Sequence, residues 1–245
     1  MRRVLFLDLD DTVVSSRRKT ADPEAEVAGF STAGSPDTLM SRRQRAVFDW
    51  LVGGAEVVPT TARNVAALRR LVLPFHGWAI CSFGGVILRP DGTSDPDWHA
   101  QAVVQADAHH AQVARALSAF EEAADAVGVP IRARILEDEG LPLYVSAKSA
   151  VSDGAALARI VPGVRAATPA GWALHWNDNS VAVLPPWLGK SHAVRRLRSI
   201  FGPDHVAIGA GDSHTDVPFM ADCDFALTPS ASQVLKRALL HAESV

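Results

Sequence analysis

Three carboxylates and a hydroxyl crowd one short stretch, Asp8-Leu9-Asp10-Asp11-Thr12, directly behind the apolar run Val4-Leu5-Phe6-Leu7. An apolar run closed by acidic residues reads as a buried strand that delivers carboxylates to its carboxyl end. So much negative charge is costly to bury unless a positive group, most simply a divalent cation, shares the site. Three further polar clusters stand at comparable places: Thr61 with Arg63, Lys190, and Asp212 with Asp216 behind Val206-Ala207-Ile208-Gly209-Ala210. In an open α/β sheet ligands bind outside the carboxyl ends of the strands, so these groups can converge. Carboxylates suit Mg2+, while one lysine and one hydroxyl suit phosphate oxygens. Together they have the makings of phosphoryl-transfer chemistry.

The elements that must position these groups alternate at first. A strand ending near Asp8 is followed by polar residues 15–40, with Pro23, Gly29, Gly34 and Pro36 spread through them, which read as a mobile loop or flap. A helix over 41–51 follows, N-capped by Ser41, with Val47, Trp50 and Leu51 on one face and Gly53-Gly54 at its end. A strand over 55–59, a helix over 64–73 and a strand over 78–81 complete an order that argues for a parallel sheet covered by helices. From residue 86 the texture changes. A long alanine-rich helix over 97–127, alternating segments at 131–135 and 143–148, a helix over 152–160 and a hairpin pair at 172–176 and 180–184 predict an antiparallel sheet with helices on one face. A helix over 190–200, strands over 206–210 and 225–227 and a helix over 230–241 return to the first pattern. The expected fold class is α/β: a Rossmann-like parallel-sheet core over 1–85 and 186–245, with an α/β domain inserted at 86–185.

Length and composition agree. The 245 residues, 48% of them hydrophobic, can fill such a core. A net charge of −3, with basic clusters scattered at Arg2-Arg3, Arg17-Arg18-Lys19 and Arg42-Arg43, offers no attraction to nucleic acid. Cys81 and Cys223 sit in or beside apolar runs and read as free thiols of a reducing compartment. No apolar stretch approaches the roughly 20 residues of a membrane span. Asp8 breaks the first apolar run too early for a secretion signal, so a cytoplasmic location is expected.

The four clusters, in this order, resemble the motifs of the haloacid dehalogenase superfamily of phosphohydrolases over essentially the whole chain. Asp8-Leu9-Asp10-Asp11-Thr12 matches Asp-x-Asp-x-Thr, Thr61 the hydroxyl residue of the second motif, and Lys190 the lysine of the third. Gly211-Asp212-Ser213-His214-Thr215-Asp216 matches Gly-Asp-x-x-x-Asp. An insertion between the second and third motifs resembles the type with the larger α/β cap, the Cof-like group that includes sucrose- and trehalose-phosphate phosphatases. Thr61-Ala62-Arg63 is similar to that group's Thr-Gly-Arg. The resemblance implies that Asp8 is the nucleophile, forming an aspartyl-phosphate, and that Asp10 is the acid and base. It implies that Mg2+ binds at Asp8, at the backbone carbonyl of Asp10, and at Asp212, with Asp216 in support, and that Thr61 and Lys190 bind the phosphoryl group. Asp11 stands where many relatives have Gly, and Ala62 and Phe83 also depart from the pattern.

The cap would then read the leaving group. Strand alternation sends Ile131, Ala133, Ile135, Leu143, Val145, Ala147, Trp172, Leu174 and Trp176 inward. Arg132, Arg134, Tyr144, Ser146, Lys148, His175 and Asn177 are left on the open face. With Arg63 and His214, these are the candidate substrate-binding residues. A polar, basic face suits a small phosphorylated metabolite such as a sugar, polyol or nucleoside phosphate. The expected protein is a Mg2+-dependent phosphomonoester hydrolase with no nucleic-acid or membrane partner, acting as a monomer or homodimer. A phosphomutase and a catalytically idle metabolite-binding protein are the alternatives.

Overall fold

The computed structural model describes residues 1–150, 154–177 and 179–242. The chain forms two compact units, Met1–Asp95 with Lys190–Val245, and Pro96–Gly189. In the first, β1 (Arg2–Leu7) precedes three short strands, β2 (Ser15–Ser16), β3 (Glu26–Phe30) and β4 (Pro36–Met40). Then come α1 (Arg42–Val52), β5 (Glu56–Pro59), α2 (Val65–Leu68), β6 (Ala79–Cys81) and β7 (Val86–Leu88). The second unit holds α3 (Pro96–Val127), β8 (Ile131–Asp138), β9 (Leu141–Ser149), α4 (Gly154–Ala167), β10 (Ala173–Asn177) and β11 (Ser180–Leu184). The chain re-enters the first unit with α5 (Lys190–Phe201), β12 (His205–Ala210), α6 (Val217–Ala221), β13 (Phe225–Leu227) and α7 (Gln233–Ala242).

The central sheet has the order β13-β12-β1-β5 and is parallel throughout. A parallel bridge from Thr60 to Ile80 brings β6 alongside. β1 lies in the middle, and its Val4, Leu5, Phe6 and Leu7 are all essentially inaccessible to water, as expected of a parallel strand covered on both faces. Leu5, Leu7 and Leu9 pack with Val14, Met40, Phe48 and Val65 on one side. Phe6 stacks on Phe201 of α5 on the other, with ring centroids 6.4 Å apart. The capping box of Ser41 and Gln44 starts α1 as predicted. The buried side of α1, however, is formed by Phe48 with Leu51 and Val52, while Val47 and Trp50 are exposed.

Two expectations for this unit change. Residues 15–40 are not a loop: β2, β4 and β3 form a three-stranded antiparallel sheet. The predicted helix over 64–73 is cut to the four residues of α2, capped by Asn64. The reason is shared, because residues 70–72 leave the helix to bond with β3: Phe30 N–H donates to Arg70 O at 3.1 Å and Val72 N–H to Ala28 O at 2.9 Å. β7 pairs with β6 and so belongs to the first unit, which ends at Asp95 rather than near residue 85.

The second unit is a four-stranded antiparallel sheet, β10-β11-β9-β8. Val145, Val181 and Val183 pack on Phe120 of α3 and on Leu157 and Ile160 of α4. α4 extends through Pro162 to Ala167, beyond the predicted end, whereas its predicted start at 152 lies outside the described residues. Trp176, expected inside, is 44% exposed because β10 is an edge strand. Among the described residues no helix is long and apolar enough to cross a membrane.

Gly209 of β12 is required by packing. A Cβ there would lie 2.9 Å from Met220 Cα of α6, a backbone atom that cannot swing aside. Gly209→Ala is therefore expected to destabilise the protein by about 1–3 kcal/mol, the usual cost of overpacking, measured as a lower midpoint in chemical denaturation.

Candidate active site

The carboxyl end of β1 gathers the predicted core residues. Asp8 N–H donates to Ala210 O at 2.8 Å, continuing the β1–β12 ladder by one residue, and the chain then turns sharply. Val13 and Val14 both donate to Leu9 O, and Asp11 takes a left-handed conformation with φ 64°. The turn answers the departure at Asp11: the backbone adopts the conformation that a glycine would favour, in a residue type that tolerates it better than most. Thr12 Oγ1 closes the turn by donating to Asp8 Oδ2 at 2.8 Å.

Lys190, the first residue of α5, reaches this point from the other end of the sequence. Its Nζ donates to Asp8 Oδ1 and to Asp216 Oδ1, each at 2.6 Å, and all three side chains are buried. Asp216 is held in turn by Ser213, whose backbone N–H and hydroxyl donate to Oδ2 at 2.9 and 2.7 Å, and by the Asp212 N–H at 3.2 Å. Gly211 permits that packing, since a Cβ there would fall 2.6 Å from Asp216 Cβ.

Charge is not balanced. Asp8, Asp212 and Asp216 bring ligand atoms to within 4.8 Å of one another, against the one ammonium of Lys190. Burial, then the charge of Asp216, holds the Asp8 carboxyl well above its ordinary value. The same two causes push Asp212 up to about 7. Burial would also raise Asp216, but the charge and hydrogen bond of Lys190, with Ser213, outweigh it and hold that group low. Lys190 is raised, because its two carboxylate partners overcome the opposing effect of burial. Asp212 is 6% exposed and its carboxylate accepts no hydrogen bond among the described residues. A buried carboxylate without compensation, beside two others, fits a hard divalent cation such as Mg2+. Asp212 has both oxygens to offer such an ion; Asp8 accepts one hydrogen bond at each oxygen, from Lys190 and Thr12, and Asp216 accepts from Lys190 at Oδ1 and three times at Oδ2.

The Asp10 carboxylate lies outside this acidic group. It is forked by Arg63, with Nε to Oδ2 at 2.8 Å and Nη2 to Oδ1 at 2.7 Å. Thr61 stands at the end of β5 next to β1, where the preceding Thr60 N–H donates to Leu7 O at 2.7 Å. Its hydroxyl, buried, accepts from Arg63 N–H at 3.1 Å. His214 is exposed within its loop.

Arg132, Arg134 and Lys148 are exposed on the second unit's sheet, and His175 and Asn177 half-buried. The register aligns them on one face: Arg132 is opposite Lys148, Lys148 opposite Ser180, and Ser180 opposite Asn177, while Arg134 shares a row with Ser146, Ala182 and His175. Tyr144 lies on the same face but is buried. It is 3% exposed, in the row of Leu136 where the polar face gives way to apolar residues, and burial raises its phenol above the ordinary value.

Thr38 and Lys19 escaped the sequence reading. Thr38 accepts from Arg63 Nη2 at 3.1 Å, and Lys19 pairs with Asp11 at 2.5 Å. Nothing in the polar composition of 15–40 marked Thr38 as part of a sheet or Lys19 as part of the 3-10 turn Arg17–Lys19.

With this geometry the chain is similar to several solved structures. Sucrose-phosphatase from Synechocystis, solved with sucrose and phosphate, aligns with TM-score 0.52 at 15% identity, covering 100% of this chain and 98% of its own. The C-terminal domain of C. albicans trehalose-6-phosphate phosphatase aligns with 0.54 at 13% identity, covering 89% and 72%. IMP-nucleotidase from Plasmodium falciparum aligns with 0.57 at 10% identity, covering 100% and 68%. The chain has the haloacid dehalogenase fold. At these identities the likeness is one of fold. No protein-family model matches the chain, and no curated protein does.

The charge imbalance predicts opposite effects for two substitutions. Asp212→Asn removes an uncompensated buried charge, so the metal-free protein should melt higher than wild type. It should also lose the thermal stabilisation by Mg2+ expected of wild type, about 2.7 kcal/mol at a hundredfold excess over Kd. Lys190→Met leaves two carboxylates unpaired and should destabilise by about 3–5 kcal/mol. Both are read by thermal denaturation with and without EDTA.

Proposed function

We propose that this chain is a Mg2+-dependent phosphomonoester hydrolase that works through an aspartyl-phosphate on Asp8. The observation that carries the reading is the convergence of Asp8, Lys190, Asp212 and Asp216 at the carboxyl ends of parallel strands, in the fold of known phosphatases.

The residues divide the work. Asp8 is oriented by Thr12 and Lys190, which leave its carboxylate rigid and set to attack phosphorus. The Asp8–phosphorus bond forms as the bond from phosphorus to the leaving oxygen breaks, and water later cleaves the acyl phosphate. Lys190 supplies fixed positive charge where the phosphoryl oxygens gather negative charge, and the hydroxyl of Thr61 is a further donor to them. Asp10 protonates the leaving alcohol and then takes the proton of the attacking water. A divalent cation held by Asp8, Asp212 and the Asp10 carbonyl, with Asp216 alongside, would neutralise the phosphate and the crowded carboxylates. Asp216 holds Lys190 in place through its 2.6 Å bond.

For the leaving group we infer a sugar, polyol or nucleoside. The second unit acts as the cap, and its face of Arg132, Arg134, Lys148, His175 and Asn177 reads hydroxyl and anionic groups. Sucrose-phosphatase, trehalose-6-phosphate phosphatase and IMP-nucleotidase among the structural neighbours are in keeping with that range.

A phosphate-release screen over sugar, polyol and nucleoside monophosphates is expected to give turnover with Mg2+ and none with EDTA. Asp8→Asn should lower kcat by about 10⁴-fold or more while leaving the fold intact by circular dichroism. Retained turnover in that variant would remove Asp8 as nucleophile, and formation of an isomerised sugar phosphate in place of inorganic phosphate would assign a mutase. Lys148→Ala should raise KM for the best substrate of the screen by more than it raises KM for p-nitrophenyl phosphate. Equal changes would take Lys148 out of leaving-group recognition.

A further inference from the structure

Arg63 is a candidate substrate-binding residue by sequence, but its fork is already taken. Both oxygens of Asp10 are engaged, at 2.8 and 2.7 Å, by the Nε and Nη2 of one guanidinium. We propose that Arg63 is a positioning residue that aims the Asp10 carboxyl group, with Thr38 as its second anchor. The proposal rests on the phosphohydrolase reading above.

Asp10 needs such a device. Its side chain is 43% exposed on a tight loop. A bidentate pair fixes the carboxylate plane as well as its position, which a lysine cannot do. The guanidinium is itself anchored. Its side chain is 18% exposed, and Nη2 also donates to Oγ1 of Thr38, a buried residue of β4.

The backbone of Arg63 is held as firmly. Its N–H donates to Thr61 Oγ1, its carbonyl accepts from Ser82 N–H at 2.8 Å, and the carbonyl of Thr61 accepts from Phe83 N–H at 3.1 Å. Ser82 and Phe83 have φ of 50° and 56°, a left-handed pair without glycine, buried behind the Thr61–Arg63 turn. Such residues persist only where the surroundings over-determine them. Arg63 is thus braced by the turn beneath it and by the small sheet beside it.

The role follows from the proton balance. As the Asp8 oxygen bonds to phosphorus, the electron pair of the breaking P–O bond stays on the leaving oxygen, and Asp10 gives that oxygen a proton. In the second half Asp10, now a carboxylate, takes a proton from the attacking water. Both transfers require a carboxyl oxygen within hydrogen-bond reach of an oxygen it does not touch at rest. An alkyl leaving group depends on this proton, whereas p-nitrophenolate leaves without it.

The test compares kcat of the full-length protein with Mg2+ on the best alkyl phosphate of the screen and on p-nitrophenyl phosphate. Arg63→Met is expected to lower kcat on the alkyl ester by about 10²-fold or more, and on the aryl ester by less than about tenfold. Arg63→Lys should resemble Arg63→Met, because the fork is lost although the charge is kept. Thr38→Val should cost about three- to tenfold on the alkyl ester, the worth of one hydrogen bond, with the same ranking of substrates. In an Asp10→Asn background, Arg63→Met should add little. Equal losses on both esters, a rise in KM alone, or a full further loss on top of Asp10→Asn would overturn the positioning role. So would a wild type that cleaves only the aryl ester, although the phosphohydrolase reading would stand. A wild type that cleaves neither overturns both. If Arg63→Met does not fold, Arg63→Lys and Thr38→Val decide the matter alone.

Discussion

One buried ammonium holds the first unit's chemistry together. Lys190 Nζ lies 2.6 Å from both Asp8 and Asp216, of which Asp8 comes from the end of the first strand, while Lys190 and Asp216 come from the segment in which the chain returns to the first unit. Its position is electrostatically awkward. Lys190 opens α5, where the helix dipole disfavours a cation. Two carboxylates at hydrogen-bond distance outweigh that, and the ring of Phe219, 5.6 Å from Nζ, covers the ammonium with a surface that attracts cations. A buried ion group of this kind adds little net stability compared with apolar packing, yet breaking it is expensive. Its retention therefore points to the chemistry rather than to the fold.

From that constraint the rest of the site follows. For Asp8 to meet Lys190, β1 must end inside the sheet, flanked by β12 and β5, and α5 must begin beside its end. For Asp216 to face the same ammonium, the chain after β12 must fold back tightly, and Gly211 and Ser213 do this by giving Asp216 room and hydrogen bonds. Asp212 is then carried into the same space with nothing to neutralise it. The surplus carboxylate is the physical reason to expect a metal, and it comes from counting charges and hydrogen bonds, independently of any motif.

What was legible in the sequence was the part governed by local pattern. Buried parallel strands show as apolar runs, so β1 and β12 and the residues at their ends could be read from residue type alone, and the largely exposed edge strand β13 showed as a short apolar run too. The antiparallel sheet of the second unit showed in its alternation, and so did the face of Arg132, Lys148 and Arg134. The failures share a cause, which is non-local pairing. Residues 15–40 lack a strand-like pattern because β2 and β3 pair with β4 in a small sheet with irregular register, and α2 stops early because residues 70–72 bond with β3. Trp50 and Val47 were assigned to the buried face of α1 by hydrophobicity, where the helix in fact turns Phe48 inward. Tyr144 lies on the face that alternation gave it but is buried, because alternation sorts faces without setting exposure.

Backbone strain marks where function overrides local preference. Among the described residues, four other than glycine have positive φ: Asp11, Ser82, Phe83 and Glu139. Glu139 is explained by its turn, since with Gly140 it joins β8 to β9 in a tight hairpin whose twist calls for two such residues. The other three serve the site. Asp11 lets the chain reverse directly behind Asp8, so that Thr12 can return to the Asp8 carboxylate. Ser82 and Phe83 turn the chain so that their N–H groups meet the carbonyls of Arg63 and Thr61. Each conformation costs about 1–3 kcal/mol, so together they consume a large share of a typical margin of stability. A cost of that size is sustained by the packing of the parallel core against which both turns rest. It sets the carboxylates of Asp8 and Asp10, two residues apart in sequence, in separate surroundings: one locked to an ammonium in the interior, the other held by a guanidinium at the rim.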